Sequence, residues 1–182
     1  MVYFDELTKA MTWLGEQPDT VFLGQQVAYP GNALFKALSG VPMTKRTEMP
    51  VAEDMQMGMA IGMSLAGKVP ICIFPRMNFL MCAMNQLVNH LDKMADYSHG
   101  EFKPKVIVRV CVGSETPLDP GVQHKGDYPI HLDNVDVYRL FPASYLPERC
   151  VTSNAIVPIY QLAYNSPKSA LIIEYADLYG EG

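Results

Sequence analysis

The 182-residue sequence is short of several things, and each shortage narrows what the chain can be. No apolar run approaches the ~20 residues that a membrane-spanning helix requires. The opening stretch, Met1-Val2-Tyr3-Phe4-Asp5-Glu6, has neither the basic nor the apolar block of a signal peptide. Positive charge is in deficit: 14 Lys and Arg against 19 Asp and Glu leave a net charge of -5, without the basic footprint of a nucleic-acid partner. The four cysteines, Cys72, Cys82, Cys111 and Cys150, show no metal-type spacing and read as reduced core residues. Repeats, low-complexity tracts and interdomain linkers are missing too. The expectation is one cytoplasmic domain with neither membrane nor nucleic acid among its partners.

What is present is a globular composition, 49% apolar and 18% charged, arranged as strands alternating with helices. Phe4, Leu7, Met11 and Leu14 fall at helical spacing. Val21 to Gly24 reads as a short buried strand, and Asn32 to Leu38 as a short helix. Asp54 to Ala66 is helical and Ile71 to Phe74 a strand. Leu80 to Ala95 reads as the longest helix, with Met81, Met84, Leu87, Val88 and Leu91 on one face. Strands follow at Val106 to Val112, Val135 to Leu140 and Ala170 to Tyr175, with a helix from Ala155 to Asn165. Gly113 to Asn134 has little periodicity and reads as a long loop; loops of that length in compact domains are usually functional or mobile. Continuous apolar strands separated by helices predict an α/β fold, a three-layer, doubly wound, mostly parallel sheet with helices on both faces. In such sheets ligands gather at the carboxyl ends of the strands.

One stretch combines an acid with a flat face. Glu53 lies in Pro50-Val51-Ala52-Glu53, directly before a helix rich in small residues, and Asn78-Phe79 follows the next strand, Pro70 to Phe74. That order suits a site needing a carboxylate and an aromatic surface for a heteroaromatic ring. Thr47 to Glu53, the Gly58/Gly62/Gly67 spacing, Pro70 to Phe74 and Asn78-Phe79 resemble the pyrimidine-binding domain of the thiamine-diphosphate (transketolase-like) enzymes. The likeness is strongest to the N-terminal part of the β-subunit of the pyruvate/2-oxo acid dehydrogenase decarboxylases. It continues through Asn85 to Asn89, Tyr97 to Gly100, Val108-Arg109 and Gln123-His124, and ends in Ile172 to Tyr179.

The resemblance implies roles for individual residues. Glu53 would hydrogen-bond a ring nitrogen of the cofactor's aminopyrimidine and share the proton that activates the thiazolium carbon. By position alone, Glu53 and Asp54 are equally ordinary helix-start acids; the resemblance assigns catalysis to Glu53 and leaves Asp54 as the capping acid. Phe79 would stack on the aminopyrimidine, or else be a core ring at a helix start. Met77 falls beside it in the same cofactor-binding segment. His124 matches a histidine at the substrate end of the cofactor, where an imidazole suits proton shuttling or carboxylate binding; a loop histidine is also often simply solvated. His131 has a counterpart too, although the loop between the two histidines is shorter here. Arg76 departs from the family pattern, in which this position is typically uncharged. It would bind a substrate carboxylate or phosphate, pair with an acid on another chain, or point to solvent. The methionine-rich helix faces read as adaptable core or subunit interface.

The family's Gly-Asp-Gly element and paired asparagines, which hold magnesium and the diphosphate, have no counterpart: Gly126-Asp127 is followed by Tyr128. The resemblance therefore implies that residues 1–182 form a single pyrimidine-binding domain, without a diphosphate/Mg domain or a C-terminal transketolase domain. Thiamine diphosphate with Mg would be shared with a diphosphate-binding α-type subunit in a homo- or hetero-oligomer. The expected function is 2-oxo acid decarboxylation and acyl transfer with that partner. Transketolase-like or deoxyxylulose-phosphate-synthase-like ketol transfer, and a non-catalytic partner-binding role, are the alternatives.

Overall fold

Apolar residues that recur every second or every third to fourth position decide the layers. The computed structural model of the chain describes residues 3–113, 115–116, 119–128, 130–140, 150–151 and 155–180. Among the described residues seven strands form one sheet: β1 (Thr20–Gly24), β2 (Arg46–Glu48), β3 (Val69–Phe74), β4 (Ile107–Val112), β5 (Val135–Leu140), β6 (Cys150–Val151) and β7 (Ser169–Tyr175). Their order is β2-β1-β3-β4-β7-β5-β6, and every pairing is parallel. The central strands β3 and β4 are buried at every residue, as a sheet covered on both faces demands. The three-layer α/β expectation holds.

Helices cover both faces. On one side lie α1 (Tyr3–Glu16), α2 (Ala33–Ala37) and α6 (Ile156–Asn165). Leu7, Ala10, Met11 and Leu14 of α1 pack there with Tyr160 and Ala163 of α6 over Phe22, Ile71, Ile107 and Ile172 of the sheet. On the other side, α3 (Glu53–Leu65) buries Met57, Ala60 and Ile61 with Leu80, Leu87 and Leu91 over Cys72, Phe74, Val108 and Val110.

The segment read as one long helix from Leu80 to Ala95 is divided. It runs as α4 (Met77–Leu80), a 3-10 turn (Met81–Ala83), a π-helical stretch (Asn85–Leu91) and α5 (Met94–Tyr97). A wide i to i+5 bond from Asp92 N to Leu87 O closes the π stretch. The changed winding places Leu80, Ala83, Leu87 and Leu91 inward and leaves Met81 38% exposed, so the predicted face was one position off at Met81. Two further expectations are corrected. Asp54 does not cap α3, whose N-terminus has no side-chain cap bond; its carboxylate accepts from Gln86 Nε2 at 3.3 Å. Cys72 and Cys111 are core thiols, but Cys82 is exposed; the side chain of Cys150 lies outside the described residues. The strands β2 and β6 were not anticipated, being three and two residues long, too short to show a period.

Candidate functional site

Parallel strands send all their carboxyl ends to one edge, and a cavity of about 770 Å³ opens there. Its wall includes Gln25 and Gln26 after β1, Pro75 and Arg76 after β3, and Ala176, Tyr179 and Gly180 after β7. Phe79 of α4 and His124 of the long loop complete the functional lining, and Lys36 of α2 also lines it.

Gly24 makes this edge tight. A Cβ there would stand 2.4 Å from the Ile73 carbonyl oxygen, so only glycine lets β1 and β3 end side by side. The loop after Gly24 is pinned by Glu48 at the end of β2. Its carboxylate accepts three backbone N–H groups, Gln26 at 2.5 Å, Val27 at 2.9 Å and Ala28 at 2.8 Å. Glu48, which the sequence offered only as part of a motif, is thus the anchor of the loop that carries Gln25.

Glu53 opens α3 and is 9% exposed. Gln56, one turn on and fully buried, donates to Ile73 O at 2.9 Å and holds that turn against the end of β3. Gln25 Nε2 donates to Glu53 Oε1 at 3.0 Å, while Oε2 makes no hydrogen bond among the described residues. Glu53 therefore stands one side chain behind the cavity wall, with Gln25 between. Gln25 was missed in the sequence, where a glutamine after a short strand carries no signal of its own.

The long loop is brought to the same place by the neighbour of Phe79. Asn78 accepts from Gly126 N at 3.1 Å and donates to Tyr128 Oη at 3.2 Å. Farther along, Arg139 holds Asp127 at 2.7 Å, and Asp177 accepts from Glu115 N at 2.7 Å. Thus fastened, His124 meets Phe79 edge to face, with ring centroids 5.4 Å apart. His124 Nδ1 is buried and has no hydrogen-bond partner among the described residues.

Of the residues singled out in the sequence, Phe79, His124 and Arg76 line the cavity, and Glu53 reaches it through Gln25. Met77 is fully buried in the apolar core beneath α4 and does not line the cavity. His131 is exposed and lies outside the lining.

Beneath the cavity lies a charged pair that the sequence did not announce. Arg109 of β4 and Glu174 of β7 are both fully buried and joined by two bonds, Nε–Oε1 at 2.7 Å and Nη2–Oε2 at 2.9 Å. Tyr160 donates to Glu174 at 2.7 Å, and Tyr179, whose ring lines the cavity, donates to its other oxygen. Burial opposes the Arg109 charge, but Glu174 more than offsets this and keeps the guanidinium well above its ordinary value.

The arrangement is compatible with the pyrimidine half of thiamine diphosphate: Phe79 and His124 line one opening, and Glu53, nearly buried, stands behind Gln25 at its wall. Among the described residues there is no group of three or more His, Cys, Asp or Glu placed to hold a metal ion. No helix among the described residues is long and apolar enough to cross a membrane.

No family model matches the chain. Among curated proteins it is 32% identical over 113 residues to a "Pyruvate dehydrogenase E1 component subunit beta" of Gracilaria tenuistipitata var. liui, covering 60% of this chain and 35% of that one. It is 30% identical over 118 residues to "2-oxoisovalerate dehydrogenase subunit beta" of Bacillus subtilis (strain 168), covering 62% and 36%. The mitochondrial pyruvate dehydrogenase E1 β subunit of Saccharomyces cerevisiae aligns with 100% of this chain at 28% identity, and with 48% of its own length. The chain thus spans between a third and a half of these relatives. Among solved structures, a "Split gene transketolase, inactive beta4 tetramer" matches with a TM-score of 0.66 over 96% of this chain and 51% of that one, at 19% identity, a likeness of fold. By sequence, the chain is a homologue of the E1 β subunits of pyruvate and 2-oxoisovalerate dehydrogenases, and it has a transketolase-like fold.

Proposed function

We propose that this chain is the pyrimidine-binding subunit of a split thiamine-diphosphate-dependent enzyme acting on a 2-oxo acid. A diphosphate-binding α-type chain supplies the Mg and diphosphate ligands, and the site is complete only in an oligomer. The observation that carries the reading is the convergence of Phe79, His124 and the Gln25–Glu53 pair on one opening at the carboxyl ends of the strands.

When bound, the cofactor would supply an electron sink for the carbonyl carbon whose bond to the carboxylate is cleaved. The protein's own residues do the rest. Phe79 gives the aminopyrimidine a flat apolar face, worth about 0.5–1.5 kcal/mol beyond the area it buries. Glu53 holds a proton shared with a ring nitrogen, and Gln25, which already binds its Oε1, orients the carboxylate toward the cavity. His124, which lines the cavity, would hydrogen-bond the substrate and move a proton there. Met77 supports the start of α4 from the core without touching either molecule.

The test has two arms. Calorimetry with magnesium present should find little thiamine diphosphate binding to the chain alone and micromolar binding once a diphosphate-binding partner is added. In the reconstituted complex, Glu53→Gln should leave that affinity nearly unchanged, because the amide still hydrogen-bonds the ring. It should slow deuterium exchange at the cofactor's thiazolium carbon by orders of magnitude, each factor of ten being about 1.4 kcal/mol of barrier. An unchanged exchange rate removes Glu53 from the chemistry, and micromolar binding by the lone chain removes the split site.

A further inference from the structure

The charge of the cavity runs against the charge of the chain. The protein has a net charge of -5, yet the ionisable side chains that line the cavity are Lys36, Arg76, His124 and the phenol of Tyr179, with no aspartate or glutamate among the described lining residues and Glu53 standing behind Gln25. Six cations elsewhere are ion-paired, Lys9 with Glu6, Lys93 with Asp133, Arg109 with Glu174, Lys125 with Asp119, Arg139 with Asp127 and Lys168 with Asp136. Lys45, Arg46, Lys68, Lys103 and Lys105 have no ion pair among the described residues but do not line the cavity. Lys36 and Arg76 pair with no carboxylate among the described residues. Arg76 is half-buried directly after β3, and its Nη1 meets only the Pro75 carbonyl and the Cys111 sulfur, both at 3.5 Å. Those are long, weak contacts for a guanidinium, and they leave its charge without a counter-ion among the described residues. A walled opening lined by one sign of charge concentrates ligands of the other sign.

Resting on the 2-oxo acid reading, we propose that Arg76 and Lys36 select a substrate bearing a second anionic group, remote from the carboxylate that reacts. The reason lies in the chemistry of the leaving group. In decarboxylation the bond from the carbonyl carbon to the carboxylate breaks, the bonding pair stays on the carbonyl carbon, and the carboxylate departs as neutral CO2. Its charge fades as the transition state is approached. A guanidinium clamp on that carboxylate would bind the ground state more tightly than the transition state and slow the step. A clamp on a distant anion that keeps its charge throughout stabilises both states equally and raises selectivity without that penalty. Arg76, with a planar fork of donors, suits a carboxylate or a phosphoryl group held by two parallel bonds, and exposed Lys36 adds a point charge at the rim.

The experiment is a titration of the 182-residue chain, without cofactor, with pyruvate, 2-oxoglutarate and 3-phosphonopyruvate, followed by the NMR shift of the Arg76 Nε–H. Because no cofactor is present, its result is independent of Glu53; failure of the thiamine-diphosphate reading would appear in the exchange measurement instead. At least one of the two dianions should bind tenfold or more tightly than pyruvate, with a shift at Arg76. A preference for 2-oxoglutarate identifies a dicarboxylic acid, and one for 3-phosphonopyruvate a phosphoryl-bearing acid. In Arg76→Gln the discrimination should fall to within about twofold, and Lys36→Gln should remove part of it. Arg76→Lys, which keeps the charge and loses the fork, should retain an intermediate preference, and it serves if the glutamine variant does not fold. Equal affinity for all three acids, no binding of any, or discrimination that survives the loss of Arg76 would overturn the proposal.

Discussion

The imidazole of His124 stands edge-on to the ring of Phe79, centroids 5.4 Å apart and planes at 83°. One ring belongs to the short helix after β3, the other to a long irregular loop, and Asn78 fastens the loop to the helix through Gly126 and Tyr128. The contact makes the two residues one wall of the cavity, so a change at either is felt by whatever occupies it.

Phe79→Ala should therefore loosen the cofactor in the reconstituted complex by about tenfold, or about 1.4 kcal/mol, the upper range of a ring-on-ring contact. At saturating cofactor the thiazolium exchange rate should change far less, since Glu53 is untouched. Calorimetry and exchange on the same sample check this. Loss of exchange with unchanged affinity would reverse the roles assigned to Phe79 and Glu53.

Glu174→Gln should destabilise the fold by about 3–5 kcal/mol, because it strands the fully buried Arg109 charge. Replacing both partners with apolar residues, Arg109→Met with Glu174→Leu, should cost less than the single change. Urea unfolding of the three proteins gives the comparison directly. A double variant as unstable as Glu174→Gln would show that the pair itself, rather than the stranded charge, carries the stability.

Strong base should unfold the protein cooperatively. Burial first, and then the Glu174 charge, push the phenols of Tyr3 and Tyr160 well above their ordinary value; burial, then Cys111 and Glu174, do the same to Tyr179. Above pH ~10 these groups release protons only in the unfolded chain, so unfolding gains about 1.4 kcal/mol per pH unit for each. The stability they contribute is complete below the unfolded value and is lost as pH climbs toward the folded one. Phenolate absorbance should rise in step with loss of circular dichroism, after an earlier, non-cooperative phase from exposed tyrosines such as Tyr29 and Tyr97.

Alkylation at pH 8 should separate the thiols. Cys82 is exposed and should react within minutes with iodoacetamide. Burial pushes Cys72 up to about 12 and Cys111 up to about 11, so both stay protonated and enclosed. Peptide mass mapping before and after adding denaturant measures the difference. Native-state modification of Cys72 at the rate of Cys82 would mean that the edge between α3 and β3 opens.

Much of this protein is written locally. A strand buried on both faces is mostly apolar, so Ile71 to Phe74, Ala170 to Ile173 and, despite Arg109, Ile107 to Val112 declare themselves by composition, and their alternation with helices leaves a parallel sheet as the natural arrangement. The place of Phe79 at the cavity follows for the same reason, since a parallel sheet sends whatever follows a strand to one edge, whereas by position alone Glu53 is an ordinary helix-start acid and its assigned role rests on the resemblance. Short-range signals do not carry the rest. The winding of residues 81–91 depends on what the helix packs against, and Arg109 meets Glu174 across 65 residues because β4 and β7 are neighbours in the sheet. Whether Gln25 shields Glu53, whether Met77 faces the core and whether Lys36 and Arg76 share a cavity are likewise decided by the packing of separate elements. Periodicity reports which face of an element is buried; only the folded chain decides which faces meet.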